Sequence, residues 1–286
     1  MKKPNYLSQE KIQEFIRQAL IEDVGEGDHS TLGSIPTGSI GQAQLIIKEN
    51  GIVAGLELAQ MIFLQYDPKL KVDLLIQDGS KVTRGDIGLL VKGAAASILT
   101  TERLVLNCMQ RMSGIATKTH ELTELINHTK ARLMDTRKTT PNFRLMEKWA
   151  VLLGGGLNHR FALYDMVMLK DNHIDFAGGI KNAISNTKSY LKNKGLDLKI
   201  EIETRTLEEV QEVVEVGGID FIMLDNMDYA TMREAVKIVE GRYPLEASGG
   251  ITEENLKNVA ECGVDFISVG ALTHQVRSLD ISLKAL

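Results

Sequence analysis

The octapeptide GIDFIMLD (Gly218–Asp225) returns with few changes as GVDFISVG (Gly263–Gly270). Each copy is a short apolar run bounded by turn-forming residues, the pattern of a strand buried on both faces. Four further segments read the same way: Ala131–Met134, Met166–Leu169, Leu198–Ile202 and Leu245–Ala247. Helical patterns at Arg144–Leu153, Ile180–Lys192, Leu207–Val216, Tyr229–Val239 and Glu254–Cys262 alternate with these strands. Such alternation predicts parallel strands joined by right-handed crossovers. No G-x-G-x-x-G follows the first of them, so a closed or nearly closed β/α barrel fits better than an open doubly wound sheet.

Upstream the order is less regular. Lys11–Leu20 and Leu56–Tyr66 have helical apolar spacing, while Gln44–Lys48, Lys71–Ile76 and Ile87–Val91 read as strands, which together predict a small α+β domain. Between the first helix and the first strand, EDVGEGDHST (Glu22–Thr31) has the glycines and capping residues of a tight turn, with His29 in a structural role. Thr100–Met112 predicts a helix with Leu104, Cys108 and Met112 on one face and Arg103, Asn107 and Arg111 on another. That polar face is either solvated or functional; the pattern does not separate the two.

Composition narrows the function. A chain of 286 residues with 43% hydrophobic and 25% charged residues has the balance of a globular protein with room for a barrel and a smaller domain. A formal net charge of -5 argues against a general nucleic-acid or membrane-surface binder. The N-terminus has no secretory signal pattern, and no apolar run is long enough to span a bilayer. Cys108 and Cys262 form no metal-ligand spacing, which suits two reduced thiols and a cytoplasmic location.

In a β/α barrel the chemistry gathers beyond the C-terminal ends of the strands. There the sequence places Asp135-Thr-Arg137-Lys138, Lys170-Asp-Asn-His173, Glu203, Asp225-Asn226, Ser248-Gly249-Gly250 and Gly270. Arg137, Lys138, His159, Arg160 and Lys170 concentrate positive charge within one stretch of an acidic protein. Such a cluster calls for a multiply charged anion, a small dicarboxylate or a polyphosphate. Glu201 and Glu203 alternate in KIEIE, so both face the lumen if Ile200 and Ile202 pack under the helices; the other reading is an exposed edge strand. With Asp225 they could hold Mg²⁺ or a hydroxyl-rich substrate. The small residues after the last two strands suit a phosphate held by backbone N–H groups.

These segments carry a resemblance. EDVGEGDHST, TERLVLNCMQRMSGIAT, the long run DTRKTTPNFRLMEKWAVLLGGGLNHRFALYDMVMLKDNHI, IEIET, IMLDN, EASGGI and SVGALTH, in this order, resemble the quinolinate phosphoribosyltransferase family. The resemblance spans nearly the whole chain. It implies an N-terminal α/β sandwich domain at 1–113 joined to an open β/α barrel at 114–274, with a C-terminal helix at 275–286 packing back on the first domain. It implies a decarboxylating pentosyltransferase of NAD biosynthesis. Quinolinate and phosphoribosyl pyrophosphate would give nicotinate mononucleotide, pyrophosphate and carbon dioxide, with Mg²⁺ as cofactor. Arg137, Lys138, His159, Arg160 and Lys170 would bind quinolinate, Lys138 being shared with the second substrate. Glu203 and Asp225 would meet the ribose and metal, and Ser248, Gly249, Gly250 and Gly270 would cradle the 5′-phosphate. Lys138, Glu203 and Asp225 are the expected catalytic groups. Arg103 would reach the site of the other subunit in a homodimer. Three rivals stand beside this reading: a paralogue of the same architecture that binds another anion, a Schiff-base aldolase acting through Lys170, and a non-catalytic anion sensor.

Overall fold

The computed structural model describes residues 4–286 and divides into two compact units. One takes in the chain up to His120 together with Thr139–Gly155 and Leu272–Leu286; the other takes in Glu121–Lys138 and Gly156–Ala271. In chain order the elements are α1 (Gln9–Val24), α2 (His29–Ser34), β1 (Ile40–Ile47), β2 (Gly51–Ile52), α3 (Leu56–Tyr66), β3 (Lys71–Leu74), β4 (Lys81–Val82), β5 (Ile87–Ala94), α4 (Ala95–Leu125), β6 (Arg132–Met134) and α5 (Arg144–Leu153). There follow β7 (Val167–Leu169), α6 (Asp171–Ala177), α7 (Ile180–Lys194), β8 (Ile200–Thr204), α8 (Leu207–Val216), β9 (Phe221–Asp225), α9 (Tyr229–Val239), β10 (Leu245–Ser248), α10 (Glu253–Ala260), β11 (Phe266–Ser268), α11 (Ala271–His274) and β12 (Ile281–Ala285).

The first unit is built on an antiparallel sheet of order β12-β1-β5-β3. Its core includes α3, whose Leu56, Leu58, Ala59, Ile62 and Phe63 are all fully buried. The N-terminus of α3 is capped from a distance: both Asp78 carboxylate oxygens accept the Leu56 and Glu57 N–H groups, at 2.8 and 3.0 Å. The EDVGEGDHST segment behaves as its composition predicts. Gly25 ends α1 at φ 51°, and Asp28 caps α2 by accepting the Thr31 N–H at 3.0 Å.

The expected C-terminal helix at 275–286 is a correction. The segment forms β12, an edge strand antiparallel to β1 with Leu283 opposite Leu45. The reason is its period: Ile281 and Leu283 are buried while Lys284 is exposed, which in ISLKA is strand alternation rather than a helical stripe.

In the second unit six parallel strands run β6-β11-β10-β9-β8-β7. From β7 to β11 the order follows the chain, and β6 then joins beyond β11 instead of pairing with β7. The sheet is therefore a β/α barrel left open between its first two strands. The two copies of the repeated octapeptide supply β9 and β11, on either side of β10. Strand β8 lies inside the sheet between β7 and β9 and is buried at every position. The edge-strand reading of KIEIE is thus excluded.

Candidate active site

The open edge of β6 decides where the basic residues go. An uncovered parallel edge strand exposes unpaired backbone groups, and here the segment around Leu157 covers it. Leu157 donates to Leu133 O at 2.8 Å and accepts from the Asp135 N–H at 3.1 Å, and Met134 and Leu157 form an isolated parallel bridge. Asp135, fully buried just past β6, then pins the next two residues. It accepts the Asn158 side-chain amide at 2.6 Å and the His159 N–H at 2.9 Å. This brings His159 and Arg160 beside Arg137 and Lys138, although about twenty residues separate the two pairs in sequence.

All four line one cavity of about 660 Å³, which also takes in Lys170, Glu203, Asp225, Ser248, Gly249 and Gly250. Ten of the twelve expected site residues therefore meet in the second unit. Arg103 belongs to the first unit, where it is exposed on α4. Gly270 follows β11 but is not among the lining residues; Ser268 takes that place.

The electrostatics of the pocket are those of an anion site. Arg160 is partly buried, and its guanidinium is pushed below its ordinary pKa, first by burial and then by the charge of Arg137. Two guanidiniums that disfavour one another are neutralised by an anion placed between them. Across the pocket, Lys170 Nζ donates to Glu203 Oε1 at 2.6 Å, and the Lys170 side chain is 47% exposed. A half-exposed amine committed to a carboxylate lacks the apolar surroundings that activate a Schiff-base lysine, which weighs against the aldolase reading.

The end of β9 and the loop after β10 form one structural piece. Asn226, at φ 54°, donates its backbone N–H to Ser248 O at 2.9 Å and its side-chain amide to Asp225 Oδ2 at 2.9 Å. Gly249 sits at φ 89°, and a Cβ there would overlap the Asn226 amide. No other residue type allows the backbone to pass so close to Asn226, and its N–H groups are left at the cavity wall.

Sequence reasoning passed over one residue of the floor, Glu246. Glu201 and Glu246 are fully buried and Glu203 is 8% exposed, all within the lumen that the alternation of KIEIE implies. His159 Nε2 lies 2.8 Å from Glu201 Oε2 and 3.4 Å from Glu246 Oε2. The other ring nitrogen, Nδ1, accepts the Arg160 N–H at 2.7 Å, so the ring proton sits on Nε2 and points at the two carboxyls. The ligand atoms of these three residues lie within 4.8 Å of one another. An Nε2 that carries a proton cannot ligate a cation, so hydrogen bonding and not metal binding accounts for the cluster. The signal for Glu246 was present: one glutamate alternating with Leu245 and Ala247 in an apolar strand is the same pattern that drew attention to Glu201 and Glu203.

The family models for the N-terminal and C-terminal domains of quinolinate phosphoribosyl transferase match residues 28–113 and 115–284. The chain belongs to this family. It is 46% identical to quinolinate phosphoribosyltransferase [decarboxylating] 2, mitochondrial, of Nicotiana glauca, over 96% of this chain and 82% of that protein. It is 48% identical to the chloroplastic nicotinate-nucleotide pyrophosphorylase [carboxylating] of Arabidopsis thaliana, over 94% and 81%. Among solved structures, NadC from Streptococcus pyogenes superposes with a TM-score of 0.92 at 36% identity, covering 100% of both chains. The nicotinate-nucleotide pyrophosphorylase of Francisella tularensis does so with 0.90 at 37%, covering 100% of this chain and 98% of its own. Among the described residues no helix is long and apolar enough to cross a membrane.

Proposed function

We propose that this protein transfers the phosphoribosyl group of phosphoribosyl pyrophosphate to the ring nitrogen of quinolinate with loss of carbon dioxide. The products are nicotinate mononucleotide, for de novo NAD biosynthesis, and pyrophosphate. The observation that carries this reading is one cavity that joins a cluster of Arg137, Lys138, Arg160 and Lys170 to an acidic and glycine-rich half at Glu203, Asp225 and Ser248–Gly250. The basic half suits two adjacent ring carboxylates. The other half suits a sugar whose anomeric carbon becomes cationic in displacement, with Glu203 and Asp225 favouring that charge and the Gly249–Gly250 backbone taking the 5′-phosphate. His159, with its Nε2–H turned to Glu201, orients the wall and leaves carboxylate binding to its basic neighbours.

The two carboxylates at the cavity wall, each with one oxygen engaged by Lys170 or Asn226, fit a hard cation that prefers oxygen ligands and substrate phosphates. Glu203 and Asp225 would hold Mg²⁺, directly or through water, and the ion would stabilise the charge on departing pyrophosphate. A homodimer with shared sites completes the proposal, Arg103 of each copy serving the other. Its support is exposed apolar surface at the cavity-bearing unit, where Leu163, Tyr164 and Phe176 are 69%, 64% and 91% exposed, together with the exposure of Arg103. A cytoplasmic location agrees with two buried thiols that are unbridged. The test is pyrophosphate release from phosphoribosyl pyrophosphate with and without quinolinate, each with and without Mg²⁺. Release that depends on both is expected; release indifferent to quinolinate would overturn the assignment.

A further inference from the structure

The reaction proposed above ends with a bare ring carbon that needs a proton, and the lumen contains a carboxyl group with no other task. Glu246 stands in the middle of β10, fully buried, and lines the cavity floor. Neither of its oxygens reaches a partner at hydrogen-bonding geometry among the described residues. Facing it are Glu201 from β8, Asp135 from the end of β6, Ser268 from β11 and His159 from the segment along the open edge. Asp135 accepts two N–H groups, and Glu201 accepts the His159 Nε2–H. The Ser268 hydroxyl is the one donor left to Glu246, and a charge on Glu246 would stand beside the buried Glu201 carboxylate, whose Oε1 also has no donor.

We propose that Glu246 supplies the proton that replaces the departing carboxyl group on the pyridine ring, an inference that rests on the reaction proposed above. A buried carboxyl beside a second buried carboxylate is more stable in its neutral form, and one hydroxyl donor does not offset both effects. In keeping with this, burial and then the charge of Glu201 raise its pKa well above the ordinary carboxylate range. A neutral acid at the floor is the acidic O–H of a pocket whose other hydroxyls, on Thr136, Ser248 and Ser268, are far too weak as acids to protonate carbon.

In the nucleotide adduct the bond from C2 to its carboxylate breaks, carbon dioxide leaves, and the electron pair stays on C2 beside the positively charged ring nitrogen. The Glu246 O–H bond then breaks and its proton forms the new C2–H bond, leaving a carboxylate. Water restores the proton once the product has left. Without a donor at hand the carbanion recaptures carbon dioxide, so the donor governs whether decarboxylation goes forward.

The test compares Glu246→Gln with the parent protein under quinolinate and phosphoribosyl pyrophosphate, following pyrophosphate and carbon dioxide in the same reaction. Glutamine keeps the shape and has no acidic proton. The expected result is pyrophosphate release within a few-fold of the parent, carbon dioxide release at least tenfold lower, and build-up of the dicarboxylated nucleotide. One carbon dioxide per pyrophosphate at the parental rate would overturn the proposal. Where circular dichroism shows Glu246→Gln unfolded, Glu246→Asp takes its place: a retained but withdrawn acid lowers the ratio below one, whereas a purely structural role leaves it at one. Failure of the reaction itself is distinct, because the parent protein would then release neither product.

Discussion

Replacing Arg160 by alanine tests the anion site at its most informative residue. The guanidinium is partly buried and is held at its neck by a 3.3 Å hydrogen bond from Nη1 to Met166 O. Its charge opposes that of Arg137. Truncating one partner of a buried charge pair costs about 2–5 kcal/mol, much of it the penalty of leaving the other charge unpaired. Arg160 retains some solvent and Arg137 remains to share the ligand, so the lower part of that range applies, about 2–3 kcal/mol. At about 1.4 kcal/mol per tenfold, quinolinate binding weakens roughly 30- to 150-fold. Calorimetric titration with quinolinate reads this directly, and phosphoribosyl pyrophosphate titrated in parallel should change far less. The free protein should not lose stability, since removing Arg160 relieves its repulsion with Arg137. Quinolinate affinity within threefold of the parent would refute the reasoning, as would a large drop in the melting temperature.

Gly249→Ala should raise the KM for phosphoribosyl pyrophosphate at least tenfold with little change for quinolinate, because the added Cβ displaces Asn226 and the phosphate-facing backbone; steady-state kinetics in both substrates separate the two. Arg103→Ala and Lys170→Ala proteins, each inactive alone, should regain activity when mixed and allowed to exchange subunits, one site in each heterodimer being intact. Heterodimers isolated by differential tags and found inactive would exclude shared sites. Glu246→Gln should alter the pH dependence of stability. A carboxyl whose folded pKa is raised contributes its stability below the ordinary glutamate range and loses it as pH rises toward the folded value. The melting temperature of the variant relative to the parent should therefore be higher at pH 8 than at pH 5; an equal difference at both would mean that Glu246 titrates like an exposed carboxyl.

Much of the barrel was legible because parallel strands buried on both faces give unbroken apolar runs, and α8 and α9 begin and end where their apolar stripes do. Elements that failed to show are those held by tertiary pairing. Gly51–Ile52 and Lys81–Val82 are two-residue strands that exist only because they pair with each other. At the C-terminus, the alternation in ISLKA spans too few residues to outweigh a helical reading until β1 offers its edge. Helix α6 was hidden for a different reason. Its first turn, Asp171-Asn172-His173, reads as a polar loop, and it is started by the Lys170 N–H donating to His173 Nδ1 at 2.9 Å, a contact that pattern reading does not see.

The site shows the same division between what a chain states locally and what it states only in pairs. Charge concentration located Arg137, Lys138, Arg160 and Lys170, since a run of cations in an acidic chain is conspicuous without any knowledge of distance. The role of His159 depends on partners in three other places: Asp135 fixes its backbone, the Arg160 N–H takes one ring nitrogen, and Glu201 accepts from the other. A histidine beside arginine in sequence looks like a fifth anion ligand, and only the folded chain shows that both of its ring nitrogens already have partners. Glu246 follows the same logic one step further. Alone it is a single acidic residue in an apolar strand, and only the neighbouring strands reveal that it is buried against a second carboxyl, Glu201. Groups that act through their own charge can be read along the chain, whereas groups that act through a proton are defined by every element that faces them.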